Sequence, residues 1–307
     1  MSASAVEAWL ARRGHRADDF TLEGLLEAKR ATVSAVLPAR DVEATIDGVL
    51  DALVPLRDAG LLDELVVVDA ASTDGTAARA EARGVPVLQE SELMPDHGPA
   101  LGKGDAMWRG LSATSGDVVL FLDTDTGRMT PGYALGLLGP LLTDDGVALV
   151  KGAFRRPFQA GSERLPDEGG RVTELVARPL LNLLVPELAG VRQPLAGELA
   201  ARRSLLEAIP FPVGYGIEIG MLLDAHRLVG LDGIAQSDLG SRLNPHQPLR
   251  ELSTMAYAVL VTTLRRTLGE EALGDLAPGL SGTLRDGAMR VREVRLVERP
   301  PLAGPRG

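Results

Sequence analysis

An apolar run closes on two aspartates one residue apart: Val118–Asp125 reads Val-Val-Leu-Phe-Leu-Asp-Thr-Asp. In an extended segment, residues two apart point the same way, so Asp123 and Asp125 would aim hard carboxylate oxygens at one place. Such oxygens suit Mg²⁺ or Mn²⁺, and a cation held there would bind a diphosphate. Aspartate is equally at home in turns, so the spacing alone also fits a strand followed by an acidic turn. Gly102-Lys-Gly-Asp105 carries one lysine into a helix start. Glycine permits close backbone approach there, and Lys103 offers a point charge to a diphosphate. The rest of a P-loop is missing, which argues against a nucleotide-hydrolysing engine.

Other segments carry related chemistry. Pro38, Ala39 and Arg40 lead from a strand into a helix and would hold a base and ribose, or form an ordinary turn. In Asp69–Thr76, Asp69 would take ribose hydroxyls or base N–H groups, while Ser72 and Thr73 would bind ligand or cap a helix. Gly169-Gly-Arg-Val-Thr173 joins two glycines, an arginine and a hydroxyl, a combination suited to phosphate or carboxylate. Gly214-Tyr-Gly-Ile-Glu218 sets Glu218 in an apolar helix start, to bind sugar hydroxyls or to cap. Asn244-Pro-His246 offers a late metal ligand or phosphate contact.

These residues need elements that bring them together. Residues 4–29 read as helical, with Val6, Trp9 and Leu10 on one face and Leu22, Leu25 and Leu26 continuing it. Strands are expected at Thr32–Leu37, stopped by Pro38, and at Leu65–Val68, Val85–Leu88 and Asp117–Leu122. Helices are expected at Ala44–Leu56, at Thr73–Arg83 behind caps Ser72, Thr73 and Asp74, and at Lys103–Leu111. Strand alternating with helix specifies a doubly wound, mostly parallel α/β sheet, which binds ligands beyond its strands' carboxyl ends. Pro38–Glu43, Asp69–Ser72, Gly102–Asp105 and Asp123–Asp125 all fall at such ends, which makes the acidic pair part of a nucleotide site.

Further on, Ala148–Phe154 reads as a strand and Gln159–Arg171 as a polar loop. Val172–Leu184 reads as a helix interrupted by Pro179. Gly214–Val229 and Leu252–Leu268 read as helices, Leu239–Pro248 as a loop, Met289–Val297 as a short strand, and the proline-rich end as loose.

The 307 residues, 45% hydrophobic, suffice for one large domain with a sizeable core. A net charge of −10 and only 3% aromatics argue against a nucleic-acid partner. An acidic protein that handles phosphates must concentrate positive charge locally or recruit a metal. Without cysteine there is no disulfide framework, thiolate site or cysteine nucleophile, which fits a reducing cytoplasm. The N-terminus lacks a secretory pattern, and no run approaches the roughly 20 apolar residues of a membrane span. Trp9 and Trp108 read as core.

Together these motifs resemble the glucosyl-3-phosphoglycerate synthases, with the mannosyl-3-phosphoglycerate synthases close by. The residues that carry the likeness run in the family's order over about residues 20–300. They are Leu-Pro-Ala at 37–39, Asp-Ala-Ala-Ser-Thr-Asp-Gly-Thr at 69–76, Gly-Lys-Gly-Asp-Ala-Met-Trp-Arg at 102–109 and the aspartate pair. Gly-Gly-Arg-Val-Thr-Glu-Leu at 169–175, Gln-Pro-Leu-Ala-Gly-Glu at 193–198 and Gly-Tyr-Gly-Ile-Glu-Ile-Gly at 214–220 follow. The Gly-Gly-Arg-Val-Thr and Gly-Tyr-Gly-Ile-Glu blocks are the most specific.

The resemblance implies a GT-A fold and retaining transfer of glucose from a UDP- or GDP-sugar to 3-phosphoglycerate, with Mg²⁺ or Mn²⁺ as cofactor and a homodimer as the assembly. On that likeness Pro38, Ala39 and Ser72 would hold the nucleotide, beside Arg40 from the reading of its own segment. Lys103, Asp123, Thr124, Leu195, Tyr215 and Glu218 would surround the diphosphate and sugar, with Asp125, Lys103 and Glu218 closest to the chemistry. Gly170, Arg171 and Thr173 would take the acceptor's phosphate or carboxylate.

The chain departs from the family pattern in three places. Arg40-Asp41-Val42-Glu43 replaces Leu-Asn-Glu-Glu, which removes a carboxylate at Val42. The family's metal-binding histidine falls on Asn244 and its acceptor-binding asparagine on His246. The expected metal set is therefore Asp125, Asp123 and His246, with Asn244 as an acceptor contact. The exchange also admits a different small acceptor, and a nucleotide-sugar-binding module without catalysis is the remaining alternative.

The chain thus reads as a single domain over 1–307. A nucleotide-sugar-binding half spans 31–130, an acceptor-binding half 131–250, and a C-terminal helix and tail 251–307.

Overall fold

The computed structural model describes residues 3–127, 129–160, 163–165, 169–242, 248–274, 279–283 and 289–304. The stretch read as one helix breaks at Gly14. Helix α1 (Ala3–Arg13) ends there, and a Cβ on Gly14 would lie 2.5 Å from the Leu10 carbonyl oxygen. Gly14–Arg16 instead forms strand β1, and helix resumes only at α2 (Leu22–Ala28), capped by the Thr21 hydroxyl accepting from the Gly24 N–H.

Strand β2 (Val33–Ala39) runs through Pro38, which does not stop it. Its neighbour on one side pairs only as far as Val36, so the missing Pro38 N–H interrupts no ladder bond there. Then come α3 (Ile46–Asp58), β3 (Glu64–Asp69), α4 (Thr76–Ala82), β4 (Val87–Gln89), α5 (Lys103–Ser112) and β5 (Val118–Phe121), the expected alternation. Helix α4 starts three residues late because its supposed caps are engaged elsewhere. The Ser72 hydroxyl donates to Asp69 at 2.5 Å, and Asp74 accepts from the Glu43 N–H and the Thr76 hydroxyl.

The second half adds α6 (Pro131–Thr143), β6 (Leu149–Arg155) and a hairpin of β7 (Phe158–Ala160) and β8 (Glu163–Leu165) inside the supposed polar loop. A helical run at 171–184 follows, with a π turn at Thr173–Ala177 leading into α7 (Arg178–Leu184). The π turn lies directly ahead of Pro179, and the helical run continues through that residue in spite of its missing N–H. Next are β9 (Leu199–Arg202), α8 (Arg203–Glu207), β10 (Phe211–Pro212), α9 (Ile217–Val229) and β11 (Ile234–Ser241). The chain closes with α10 (Leu249–Leu268), β12 (Gly279–Thr283), β13 (Met289–Glu293) and β14 (Glu298–Arg299).

Eight strands form one sheet in the order β1-β11-β6-β9-β5-β2-β3-β4. All neighbours are parallel except β9, which runs antiparallel to both β5 and β6. Alternation divides the core in two. Val33, Ala35 and Leu37 of β2 and Val118 and Leu120 of β5 pack toward α3 and α6, while Val36, Val119 and Phe121 pack toward α5 and α9. Trp9 and Trp108 are buried as expected, their indole N–H groups donating to the Ile234 and Pro300 carbonyls at 3.0 and 2.9 Å.

The end of the chain is not loose. Strand β14 pairs with β10, and buried Arg299 joins Arg109 on the fully buried Asp105. Asp105 thus anchors the tail to α5, since a buried carboxylate without such partners would be costly.

Candidate active site

Strand β5 stops at Phe121, and Asp123–Asp125 turn out over the carboxyl edge of the sheet. The turn is fixed from both sides. The Thr124 hydroxyl donates to the Pro38 carbonyl at 2.7 Å, and the Thr45 hydroxyl donates to the Thr124 carbonyl at 2.7 Å. Beyond these strand ends lies a cavity of about 770 Å³. Its walls include Pro38, Ala39, Arg40, Lys103, Asp123, Thr124, Asp125, Gly170, Arg171, Thr173, Leu195, Tyr215 and Glu218. The fold therefore gathers onto one cavity residues that the sequence spreads over 180 positions, from 38 to 218.

The wall at the β5 end is a continuous ion network. Lys103 Nζ lies 2.6 Å from Asp123 Oδ1 and 2.8 Å from Glu218 Oε1. Burial disfavours the ammonium charge, but the two carboxylates outweigh it and raise the Lys103 pKa. Burial likewise opposes the Asp123 charge, yet Lys103 and Arg242 together hold its carboxyl well below the usual range. Gly197 makes this closeness possible, since a Cβ there would lie 2.3 Å from Lys103 Nζ and 2.4 Å from Asp123 Oδ1. Gly104 does the same for the helix start: its Cβ would meet the Pro212 carbonyl oxygen at 1.9 Å.

Arg242, immediately past β11, was not singled out from sequence. It is buried, approaches Asp123 Oδ2 at 3.1 Å and Asp125 Oδ1 at 2.9 Å, and also pairs with the fully buried Glu198. Lys151 of β6 lies beneath, its Nζ donating to the Ala196 carbonyl at 2.5 Å; burial lowers its pKa to about 8. That bond fixes the 193–198 segment, which brings Leu195 to the cavity.

The wall at the β4 end is built of small residues, Ala39, Ala70, Ala71, Ala100 and Gly102, beside Glu90. Glu90 is 2% exposed, its Oε1 has no hydrogen-bond partner, and burial raises its pKa to about 7. Three strand spacings separate β4 from β5, about 14 Å, the length scale of a nucleoside diphosphate. The third wall carries Arg156 and the Gly169–Thr173 turn into the helical run at 171–184.

Some expectations change. Ser72 does not line the cavity: its hydroxyl donates to Asp69 and accepts from the Asp41 N–H, leaving Ala70 and Ala71 at the surface. Asp69 is buried, with its oxygens taken by Ser72 and the Gln89 amide. Thr124 lines the cavity, but its hydroxyl is used on Pro38. Asn244 and His246 lie outside the described residues. Among the described residues no group of three His, Asp or Glu side chains is set to hold a metal ion.

Residues 34–198 match the family model described as glycosyl transferase family 2. The glucosyl-3-phosphoglycerate synthase of Mycolicibacterium smegmatis is 45% identical over 298 residues, 96% of this chain and 97% of that one. The enzyme of the same name from Petrotoga mobilis is 37% identical over 291 residues, 91% and 88% of the two chains. Two solved structures are similar. The mannosyl-3-phosphoglycerate synthase of Rubrobacter xylanophilus has a TM-score of 0.86 and 46% identity over 97% of this chain and 98% of that one. The glucosyl-3-phosphoglycerate synthase of Mycobacterium tuberculosis, in complex with Mn²⁺, UDP-glucose and phosphoglyceric acid, has a TM-score of 0.83 and 45% identity over 92% and 95%.

The fold and the relatives define a glycosyltransferase with a GT-A type sheet. Within that class the chain belongs to glycosyl transferase family 2 and, more closely, to the glucosyl-3-phosphoglycerate synthases. Among the described residues no helix is long and apolar enough to cross a membrane.

Proposed function

We propose that the protein transfers glucose from UDP-glucose to 3-phosphoglycerate with retention of anomeric configuration. The observation that carries this reading is one cavity with two chemically distinct walls. Lys103, Asp123, Asp125, Glu218 and Arg242 lie on one, and Arg156, Gly170, Arg171 and Thr173 on the other. Relatives at similar identity include a glucosyl and a mannosyl synthase; we take glucose because the curated relatives carry it at up to 47% identity.

A divalent cation fits this site. Among the described residues, Asp123, Asp125, Glu198 and Glu218 form ion pairs with Lys103 and Arg242, four carboxyl groups against two contacting cations, while Lys151 and Arg156 attract the same carboxylates from farther off. Both Asp123 oxygens are engaged by cations, whereas the Asp125 side chain is 61% exposed and engaged through Oδ1 alone. Asp125 would therefore hold the metal, with Asp123 toward the donor and His246 as the further ligand. Bound there, Mg²⁺ or Mn²⁺ would act as a Lewis acid on the diphosphate.

The chain's own residues then do the following. Pro38, Ala39 and Arg40 seat the nucleotide along the strand ends, and Lys103 adds positive charge to the diphosphate. Tyr215 and Leu195 flank the sugar. Glu218 and Asp123 share one ammonium, which stabilises their charge and disfavours either as a nucleophile. Without a carboxylate dyad for double displacement, the acceptor hydroxyl attacks from the face the diphosphate leaves. The anomeric C–O bond to UDP breaks, the bond to the acceptor oxygen forms, and the hydroxyl proton passes to the departing phosphate.

We further propose one domain with donor half 31–130, acceptor half 131–250 and C-terminal portion 251–307, working as a cytoplasmic homodimer. Leu175 and Leu183, 71% and 77% exposed and two helical turns apart, are apolar surface that a second copy would cover. Sedimentation would test the dimer.

The reaction is tested by proton NMR of the purified protein with UDP-glucose, 3-phosphoglycerate and Mg²⁺. An α-linked glucosyl product with stoichiometric UDP is expected. Glucosylation of a different acid with none of phosphoglycerate would overturn the acceptor, and no donor turnover at all would leave only a binding module.

A further inference from the structure

Phe154, at the end of β6, carries two guanidinium groups on one ring, Arg156 at 5.0 Å and Arg242 at 5.5 Å from its centroid. Their surroundings differ. Arg242 meets three carboxylates. Arg156 meets none among the described residues, and its Nε is buried without a hydrogen-bond partner. Burial first, and then the positive charge of Arg242, lower its pKa to about 10. Asp123, Glu218 and Asp125 attract it only from a distance, and a sequestered cation with no anion in contact is unfavourable unless a ligand supplies one.

Arg156 is built into the same wall as the Gly169–Thr173 turn. The Gly169 N–H donates to the Arg156 carbonyl at 2.7 Å. A Cβ on Gly169 would lie 2.8 Å from Arg156 Cβ, and one on Gly170 would lie 3.3 Å from Arg156 Cδ. The double glycine lets the arginine stem lie along the turn, so that Arg156, Arg171 and Thr173 line one side of the cavity.

On the reading above, which this inference deepens and on which it rests, the acceptor carries a phosphate and a carboxylate at opposite ends of a three-carbon chain. The turn at Gly170, Arg171 and Thr173 accounts for one anion. The other needs a second cation, and a guanidinium fork matches a planar carboxylate. We propose that Arg156 receives the acceptor's carboxylate and thereby makes the enzyme select phosphorylated acids over phosphate esters that lack one.

The test compares 3-phosphoglycerate with glycerol 3-phosphate, which keeps the phosphate and loses the carboxylate. Full-length wild type, Arg156→Lys and Arg156→Gln are assayed with UDP-glucose and Mn²⁺, with UDP binding by calorimetry as the check on fold and donor site. Arg156→Gln is expected to raise the KM for 3-phosphoglycerate roughly 10–100-fold, the worth of a charged hydrogen-bonded contact, and to leave that for glycerol 3-phosphate within about twofold. Arg156→Lys should recover part of the loss.

Equal losses on both acceptors would overturn the proposal, as would a loss of UDP affinity, which would assign Arg156 to the donor. A wild type that prefers the acid, with the preference intact in Arg156→Gln, would overturn the role of Arg156 and leave the acceptor reading standing. A wild type that uses neither acceptor would overturn both.

Discussion

On the wall beyond β5, Lys103, Asp123, Glu218 and Arg242 each have opposite charge in contact; on the wall at 156–173, Arg156 touches none among the described residues. The first wall pairs its cations internally and presents more carboxylates than contacting cations, so an anion arriving alone would meet carboxylates. The second wall holds a cation that no carboxylate among the described residues touches. The difference teaches how one cavity keeps two anionic substrates apart. On the proposed reading, the nucleotide sugar would be received where a divalent cation completes the charge, and the small acid where a guanidinium already waits.

Stability offers the strongest way to break this contrast. Arg242→Gln leaves the fully buried Glu198 without its cation and Asp123 with Lys103 alone, and should cost about 3–5 kcal/mol. Arg156→Gln removes a sequestered cation without a partner, and should change stability by less than about 1 kcal/mol or raise it. Urea unfolding of the two variants checks this, and equal destabilisation would erase the distinction. Next in size is Lys103→Met, expected to lower kcat roughly 10²–10³-fold while the KM for 3-phosphoglycerate moves little; steady-state kinetics decide.

Glu90 is the exception on the donor side, a buried carboxyl with an unpartnered oxygen, and it sharpens the comparison through pH. Its pKa rises from the ordinary 4.5 to about 7 in the native state, chiefly by burial. The unfolded chain loses this proton first, so the contribution is fully present below about pH 4.5 and is lost as pH rises through 7. The loss amounts to about 3 kcal/mol at most. Unfolding curves at pH 5 and 8 should show it in the wild type and not in Glu90→Gln. Smallest is Gly197→Ala, where the new methyl group must push apart the Lys103–Asp123 pair. About a tenfold fall in kcat with an unchanged melting temperature is expected.

Much of the donor wall was legible in the sequence because its parts sit at the ends of strands that alternate with helices. Lys103, Asp123 and the Pro38–Ala39 turn follow from that rule alone. Strand β9 escaped because Leu199–Arg202 is only four residues long and rich in alanine, and because its antiparallel insertion breaks the alternation. Arg242 escaped because its partners are 117 and 119 residues away, a separation no local pattern reports. Ser72 shows the ambiguity of such motifs, since a hydroxyl at a strand end serves a turn as readily as a ligand, and here it closes on Asp69. Arg171 and Thr173 were found through the Gly-Gly motif, while Arg156 was missed although it lies against the same glycines. Its signal, a missing counter-charge, exists only in three dimensions.

The most direct test of the two-wall account is calorimetry of the wild-type protein with each substrate, with Mg²⁺ and again in EDTA. The account predicts that UDP-glucose affinity falls at least about tenfold without the cation while 3-phosphoglycerate affinity is unchanged, since the carboxylates that would hold the cation lie on one wall only. Metal-independent UDP-glucose binding, or 3-phosphoglycerate binding that requires the metal, would contradict it.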